Sequence, residues 1–254
     1  MPTAITRAVS PSLARCELTW LSREEIDIAK AIAQHREYER RLAELGARVV
    51  SLPALDDMPD AVFVEDPAIV LDEVAVIATM GCDSRRGERE SLAEALSAFR
   101  PLIRMRDPAK LEGGDVMRIG KDLFAGLSAR TDEAGISQLA SLLEPYGYRV
   151  TPLELDDCLH LKSACCYVGD NTILINRAWV DTAGFDKFRL IDVAPEEPGA
   201  ANALRIGDAV LMPQGFPATT GRLRAAGFEV RTVDLSELLK AESGVTCSSL
   251  IFEE

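Results

Sequence analysis

A short unit that recurs along the chain limits its possible folds more than any other feature of the sequence. Each unit has two short apolar segments with a turn between them, then a helix, and then a further apolar strand. A glycine ends the helix in three units, at Gly46, Gly147 and Gly227. Glycine is typical where the residue that ends a helix adopts the left-handed backbone conformation. These glycines are 101 and 80 residues apart, which is about two units of roughly 40 to 50 residues each. The spacing predicts a repeat architecture.

The paired apolar segments predict β-hairpins, because each pair is interrupted by turn residues. The predicted hairpins cover residues 68–78, 115–125, 164–175 and 204–212. About five units fit into the 254 residues. We therefore predict an α+β fold of five pseudo-equivalent strand–strand–helix–strand units, in a single domain over residues 1–254. The spacing alone would also fit an ordinary α+β domain, because similar loop lengths are common.

Charge and hydropathy exclude several classes of partner. The chain has 28 Lys and Arg against 41 Asp and Glu, a formal net charge of −13, so it is repelled by phosphate backbones and we expect no nucleic acid partner. No apolar run approaches the roughly 20 residues of a membrane helix, and the first ten residues lack the apolar core of a signal peptide. We expect a soluble, cytoplasmic protein without a membrane partner.

The six cysteines and two histidines predict thiol chemistry rather than a metal or disulfide scaffold. No two cysteines form a C-x-x-C pair, so we expect neither a zinc site nor any other metal, and a reducing compartment. Cys165 and Cys166 lie in an apolar segment, whereas Cys247 lies among Gly, Thr and Ser. His35 falls on the apolar stripe of a helix predicted over residues 23–45, which favours a structural role.

Several polar segments interrupt the apolar pattern where a solvated surface does not explain them. In residues 159–162, alternation predicts a strand with His160 and Lys162 on one face. Glu65 and Asp66 close another predicted strand, and only one of them can point into a given cavity unless the strand has ended there. The segments together supply a thiol, an imidazole, several carboxylates and two guanidinium groups. This set predicts a thiol enzyme that acts on a zwitterionic substrate with a cationic reacting group.

At these segments the sequence resembles the dimethylarginine dimethylaminohydrolase family of the guanidine-modifying, or pentein, superfamily. The resemblance covers nearly the whole chain, and its motifs occur in family order. They are Pro-Asp60-Ala-Val-Phe-Val-Glu65-Asp66, Ser-Arg85-Arg-Gly-Glu, Leu-Glu112-Gly-Gly-Asp-Val, Gly-Leu-Ser-Ala-Arg130-Thr, Leu-His160-Leu-Lys-Ser, Ala-Ala-Asn202 and Gly-Val-Thr-Cys247-Ser-Ser. The resemblance implies a five-bladed αβ propeller and the hydrolysis of N-omega-methylated L-arginines to L-citrulline, without a cofactor.

The resemblance also implies a role for each matching residue. Cys247 would be the nucleophile, His160 the general acid and base, and Glu112 the residue that orients His160. The implied substrate-binding residues are Asp66 and Glu65 for the guanidinium, Arg85 and Arg130 for the α-carboxylate, and Asp60 with the carbonyls of Leu18 and Ala241 for the α-amino group. Residues 10–21 resemble the active-site lid of the family. The implied partner is a small molecule, bound by a monomer or homodimer.

Two departures from the family pattern leave alternatives open. Residues 80–83 replace a common Pro-Gly-Ala-Pro, and Glu242-Ser243-Gly244 replaces the usual Asp-Gly or Gly-Gly. Both affect loop shape and substrate preference. The enzymatic alternatives are an arginine deiminase and an amidinotransferase of the same superfamily. A further alternative is a non-catalytic binding protein on the same propeller, similar to the ribosome anti-association factor.

Overall fold

The computed structural model describes residues 1–253 and arranges the predicted units as five small three-stranded sheets. In each sheet the middle strand pairs antiparallel with one neighbour and parallel with the other. A parallel neighbour requires a crossover connection, which is why a helix or helical turn follows the hairpin. The predicted α+β fold of five repeated units is confirmed.

Four of the sheets follow the chain in order, and their hairpins lie where the sequence predicted them. Their strands are β3 (Ala68–Val70), β4 (Ala75–Ile77) and β5 (Leu102–Arg104); β6 (Val116–Ile119), β7 (Asp122–Leu127) and β8 (Arg149–Glu154); β9 (Cys165–Gly169), β10 (Thr172–Ile175) and β11 (Arg189–Asp192); and β12 (Leu204–Ile206), β13 (Ala209–Pro213) and β14 (Glu229–Val233).

The fifth sheet joins the two ends of the chain. Its strands are β1 (Pro2–Arg7), β2 (Arg48–Leu52) and β15 (Leu250–Glu253). β1 lies in the middle, antiparallel to β15 and parallel to β2. Backbone hydrogen bonds between the first and last strands therefore close the ring of blades.

The crossovers contain most of the helices. These are α1 (Ile28–Glu44), α2 (Glu88–Ser97), α3 (Glu133–Leu143), α4 (Leu161–Ala164), α5 (Pro217–Ala225) and α6 (Ser236–Leu239). α4 and α6 are short and lie outside the crossovers. Between β10 and β11 there is only the 3-10 turn Ala183–Phe185, so one of the five predicted units lacks its helix.

Local sequence explains where the crossover helices begin and end. α1 begins later than predicted because the Asp27 side chain accepts a hydrogen bond from the Lys30 N–H at 3.0 Å and caps the helix. Gly46, Gly147 and Gly227 have φ angles of +92°, +76° and +98°. A side chain would strain this left-handed backbone, so the three predicted glycine C-caps are confirmed.

Apolar clusters lie between neighbouring blades. In one cluster Phe124 and Leu153 of one blade pack against Cys165 and Ile173 of the next. Each large apolar side chain that is fully buried in this way stabilises the fold by about 1.5–3 kcal/mol. Within residues 1–253, no helix has the length and apolarity needed to cross a membrane.

Two local predictions are wrong. Residues 60–67 form consecutive turns rather than the end of a strand, and β3 begins only at Ala68. The segment around His160 is not a strand either, because His160 is the N-cap residue of α4. Hydrogen bonds to distant segments hold the backbone in both places. The Glu65 N–H donates to the Cys247 carbonyl at 3.1 Å, and the Leu161 N–H donates to Asp115 at 2.9 Å.

Candidate active site

One narrow cavity brings together most of the residues implied by the resemblance. Its lining includes Asp60, Asp66, Arg85, Arg130, His160, Ala241 and Cys247, together with Glu17 and Glu242. These side chains come from segments far apart in the sequence, and all of them lie in loops or at the ends of helices. The cavity has a volume of about 20 Å³, which is about the space of one water molecule.

The loop of residues 243–249, called the nucleophile loop after the predicted role of Cys247, is held by Asn202 from the motif Ala-Ala-Asn202. The side chain of Asn202 donates to the Lys162 carbonyl at 2.9 Å and accepts from the Thr246 N–H at 3.0 Å. A side chain at Gly244 would meet Asn202 at 2.2 Å, so glycine is required there. The Gly244 N–H donates to Cys247 Sγ at 3.2 Å. Cys247 is therefore held at a fixed position on the cavity wall.

The environment of the free thiol keeps it protonated. Burial raises the pKa of Cys247, and the carboxylates of Glu65 and Asp66 raise it further, while the Gly244 hydrogen bond and Lys162 oppose them. A neighbouring cation lowers the pKa of a thiol. In the structure the acids next to the thiol outweigh Lys162.

His160 is positioned by three buried acids. Its Nε2 lies 2.9 Å from Oε2 of Glu112, and its Nδ1 lies 3.8 Å from Oδ1 of Asp66. Asp115 accepts a hydrogen bond from the Leu161 N–H at 2.9 Å and so holds the start of α4. A side chain at Gly114 would come within 2.7 Å of both His160 and Asp66. The paired glycines of the motif thus permit close approach.

These acids favour the imidazolium form of His160. Burial alone would lower the pKa of His160, but Asp66, Asp115 and Glu112 raise it to about 9. Burial would raise the pKa of Glu112, whereas the hydrogen bond with His160 holds it below its ordinary value. At neutral pH the pair is therefore a buried imidazolium and carboxylate.

Asp66 has one carboxylate oxygen that accepts a hydrogen bond and one that does not. Its Oδ2 accepts from Nη1 of Arg85 at 2.6 Å. Its Oδ1 is buried and has no hydrogen-bond partner within residues 1–253. A carboxylate oxygen in this position can accept a hydrogen bond from a cationic ligand.

The carboxylates of Glu65 and Asp66 have different partners. Its oxygens accept from Nζ of Lys162 at 2.6 Å and from Oγ1 of Thr246 at 2.7 Å. Its side chain lines a separate cavity of about 320 Å³. Lys162 and Thr246 thus hold the Glu65 carboxylate in the ligand-free structure, and its binding of a guanidinium remains a prediction. Of the two adjacent acids only Asp66 lines the narrow cavity, although the strand on which the alternation argument rested is absent at these residues.

The two arginines have different surroundings. Arg85 is buried and forms a bidentate pair with Glu88, at 3.0 and 2.9 Å, in addition to its bond to Asp66. Nη2 of Arg130 donates to Thr19 Oγ1 at 3.2 Å, and its Nη1 lies 3.5 Å from Glu112. Both line the cavity, and their binding of a carboxylate remains a prediction, as does the role of the Leu18 carbonyl.

The sequence reasoning missed three supporting acids. Asp115 and Glu88 are in motifs that were recognised, but neither received a role; both are buried. Asp115 directly follows Gly114, and Glu88 lies three residues after Arg85; these positions were the available signals. Glu242 was noted only as a departure from the family pattern. Its side chain accepts hydrogen bonds from backbone N–H groups of residues 19–21.

Asp66 and Glu112, together with His160, define the place where a cation could bind. Asp66, Glu112 and His160 each offer one ligand atom, and these atoms lie within 4.8 Å of one another. The Nε2–Glu112 hydrogen bond uses one of the ring nitrogens. The expectation of a metal-free reaction stays a prediction, which a chelator would test.

Comparison with known proteins identifies the family. The family model described as N,N dimethylarginine dimethylhydrolase, eukaryotic, matches residues 16–188. The N(G),N(G)-dimethylarginine dimethylaminohydrolase of Pseudomonas aeruginosa is 37% identical over 228 residues, which cover 89% of this chain and 90% of that protein.

Two groups of solved structures have the same architecture. A cysteine-to-serine variant of the Pseudomonas aeruginosa enzyme in complex with citrulline superimposes with a TM-score of 0.94, at 35% identity over 98% of both chains. The N-terminal domain of the cyanobacterial arginine dihydrolase ArgZ has a TM-score of 0.89 at 21% identity, over 99% of this chain and 98% of that one; this likeness shows the fold alone. With the motifs in order around one cavity, this chain belongs to the dimethylarginine dimethylaminohydrolase family.

Proposed function

We propose that this chain hydrolyses N-omega-methylated L-arginines to L-citrulline and dimethylamine or methylamine. The observation that carries the proposal is the free oxygen of Asp66, which lines one narrow cavity together with Cys247 and His160. A guanidinium group presents a planar set of N–H donors that suits a fixed carboxylate. The family membership supports the same substrate.

The first step is attack by Cys247. The thiol is kept neutral by burial and by the nearby acids. A bound guanidinium cation offsets these negative charges and favours transfer of the thiol proton to solvent water, which leaves the nucleophilic thiolate. The sulfur then bonds to the guanidinium carbon.

His160 supplies the proton that the leaving amine needs. Its Nε2 faces Glu112, so Nδ1, near Asp66, is the nitrogen toward the substrate. With a pKa raised to about 9, His160 is protonated at neutral pH. It gives this proton to the amine as the C–N bond breaks, and a covalent thiouronium remains on Cys247.

Water completes the reaction. Neutral His160 takes a proton from a water molecule that attacks the thiouronium carbon. The C–S bond then breaks with its electron pair on sulfur, and the remaining hydroxyl proton returns the thiolate of Cys247 to the thiol as citrulline leaves. A positioned acid and base of this kind contributes about 10²–10⁴-fold to the rate. Glu112 stabilises the imidazolium form in each cycle.

A substrate panel tests the proposal. Asymmetric dimethylarginine, monomethylarginine, arginine and agmatine are assayed for ureido product, and the first two should be turned over best. Cys247→Ser should abolish turnover, and a haloacetamidine should label Cys247 rather than Cys165 or Cys166, whose thiols are buried. Preferred use of arginine would favour a deiminase. Absence of product from all four would favour a binding protein.

Agmatine tests the carboxylate site within this panel. It carries the guanidinium but no carboxylate, so Arg85 and Arg130 would lose their partner, at a cost on the order of 2–5 kcal/mol in binding. Arg130→Ala is the cleaner variant because Arg85 also holds Asp66. Arg130→Ala should weaken use of methylarginine strongly and leave any agmatine turnover nearly unchanged.

We further infer that residues 1–254 act as one catalytic domain, in the cytoplasm, as a monomer or homodimer. Pairing of β1 with β15 supports the single domain, since the ring needs both ends of the chain. Removal of residues 1–7 should then abolish the folded state as well as the activity. Size-exclusion chromatography with light scattering would measure the oligomeric state.

A further inference from the structure

The lid segment, defined as residues 10–21, covers the active site. The Glu17 N–H donates to both carboxylate oxygens of Asp60, at 3.1 and 3.3 Å, and Thr19 Oγ1 accepts from Arg130 at 3.2 Å. Asp60 and Arg130 are the groups proposed to hold the amino-acid end of the substrate. Since the cavity holds about one water molecule, the lid segment must move before an amino acid can enter.

At the C-terminal end of the lid segment, one side chain binds three consecutive backbone groups, in addition to the bond between Arg130 and Thr19. The carboxylate of Glu242 accepts hydrogen bonds from three consecutive backbone N–H groups: Thr19 at 2.8 and 2.9 Å, Trp20 at 2.5 Å, and Leu21. Hydrogen bonds from N–H groups to a carboxylate are charge-assisted and roughly twice as strong as neutral ones.

Apolar packing holds this end only in part. The side chains of Trp20 and Leu21 are 53% and 51% exposed, so about half of their apolar surface remains in water when the lid segment is closed. The hydrogen bonds to Glu242 therefore act together with a partial apolar contact at this end.

The backbone at Glu242 is also unusual. Its φ angle is +55°, in the left-handed region that favours glycine. The preceding residue, Ala241, lies in the cavity wall next to the nucleophile loop. Glu242 thus connects the wall that carries Cys247 to the segment that covers it.

We propose that Glu242 is a positioning residue that latches the lid segment over the active site. It acts through the backbone of Thr19, Trp20 and Leu21 and does not contact the reacting atoms. The inference rests on the proposed function only for the identity of the substrate that the lid segment admits. Loss of the latch increases the fraction of open molecules and exposes Cys247.

Alkylation of Cys247 in the substrate-free, full-length protein tests the latch. Iodoacetamide is a small neutral probe, and peptide mass spectrometry separates Cys247 from the other cysteines. Glu242→Ala should increase the alkylation rate of Cys247 by about tenfold or more, because it removes hydrogen bonds to a charged group. Glu242→Asp keeps the charge and should restore most of the slow rate, and Glu242→Gln should fall between them.

Two further variants separate the latch from a general effect on folding. Glu242→Gly removes the carboxylate but suits the left-handed backbone, so it should also react faster without a lower unfolding temperature. Glu24→Gln is the matched control, because Glu24 is an exposed acid three residues beyond the lid segment; its rate should equal that of the wild type.

Hydrogen exchange of the amides of residues 19–21 provides a second measurement. These amides should exchange about tenfold faster in Glu242→Ala and Glu242→Gly. In turnover, the same variants should raise KM more than they lower kcat. Unchanged alkylation and unchanged exchange in both variants, or an equal increase in Glu24→Gln, would overturn the latch. Failure of the wild type to use methylarginine would refute the proposed function, but both measurements would still test the latch.

Discussion

The two histidines of this chain are equally buried but have opposite properties. His160 is 5% exposed and His35 is 2% exposed. The pKa of His160 is raised to about 9, whereas burial lowers the pKa of His35. Burial removes water from both rings and so penalises both charged forms. The two pKa values differ because different groups surround the rings in place of water.

The surroundings of the rings explain the difference. Three carboxylates act on His160, and one of them, Glu112, is hydrogen-bonded to it at 2.9 Å. His35 lies on the buried face of α1, where its Nδ1 is 3.8 Å from Oε1 of Glu39. Its Nε2 has no hydrogen-bond partner within residues 1–253. The comparison teaches that the number of acids around a buried histidine, rather than the burial itself, prepares it for proton transfer.

The largest expected effect separates the two rings by activity. His160→Gln should lower kcat/KM for citrulline formation by about 10²–10⁴-fold, because it removes the acid and base. His35→Gln serves as the control and should keep activity within about twofold once the folded fraction is matched by circular dichroism. Activity of the His160→Gln variant within tenfold of the wild type would refute the assignment.

A second prediction concerns the cause of the raised pKa. In a Cys247→Ser background, NMR titration of the two histidines should give His160 a midpoint near 9 and His35 a midpoint below about 6.5. Glu112→Gln should lower the His160 midpoint by about one unit or more, because it removes one of the three negative charges, and leave His35 unchanged. A His160 midpoint near 6.5 in the unsubstituted site would contradict the role of the acids.

The third prediction follows the pH dependence of stability. The pKa of His160 is higher in the folded state than the unfolded value of about 6.5, so His160 stabilises the fold fully below pH 6.5 or so. This stabilisation is lost as the pH rises through about 9. The pKa of His35 is lower in the folded state, so its contribution is lost as the pH falls below about 6.5.

Urea unfolding at a series of pH values measures both effects. The His160→Gln variant should lose much of the alkaline decline in unfolding free energy, and His35→Leu much of the acid decline. If each substitution changed the opposite limb, the directions of the two pKa shifts would be wrong.

The smallest effect concerns His35 at neutral pH. Because its Nε2 is buried without a partner, His35→Leu should leave stability unchanged or raise it by about 1 kcal/mol. His35→Gln should lower stability by about 1–2 kcal/mol, because it buries an amide with more groups to satisfy. Thermal unfolding of both variants at pH 7.5 would distinguish these outcomes, and a larger loss for His35→Leu would assign His35 a packing role.

Local chemistry in the sequence determined the repeated architecture. The glycines at 46, 147 and 227 have positive φ angles, and the hairpins form where turn residues interrupt apolar runs. These signals are readable because they depend on residues close together in the chain. The residue types of the site were readable for the same reason, since each motif is a short segment.

The positions and hydrogen-bond partners of the site residues depend on the tertiary structure. Asp66 faces the cavity while its neighbour Glu65 is bound by Lys162, 97 residues away. His160 begins a helix instead of lying on a strand, because Asp115 and Glu112 hold that segment. Glu242 reaches backbone groups more than 220 residues away. Hydrogen bonds between distant segments fix these positions, and their energies exceed the weak local preferences that a sequence pattern records.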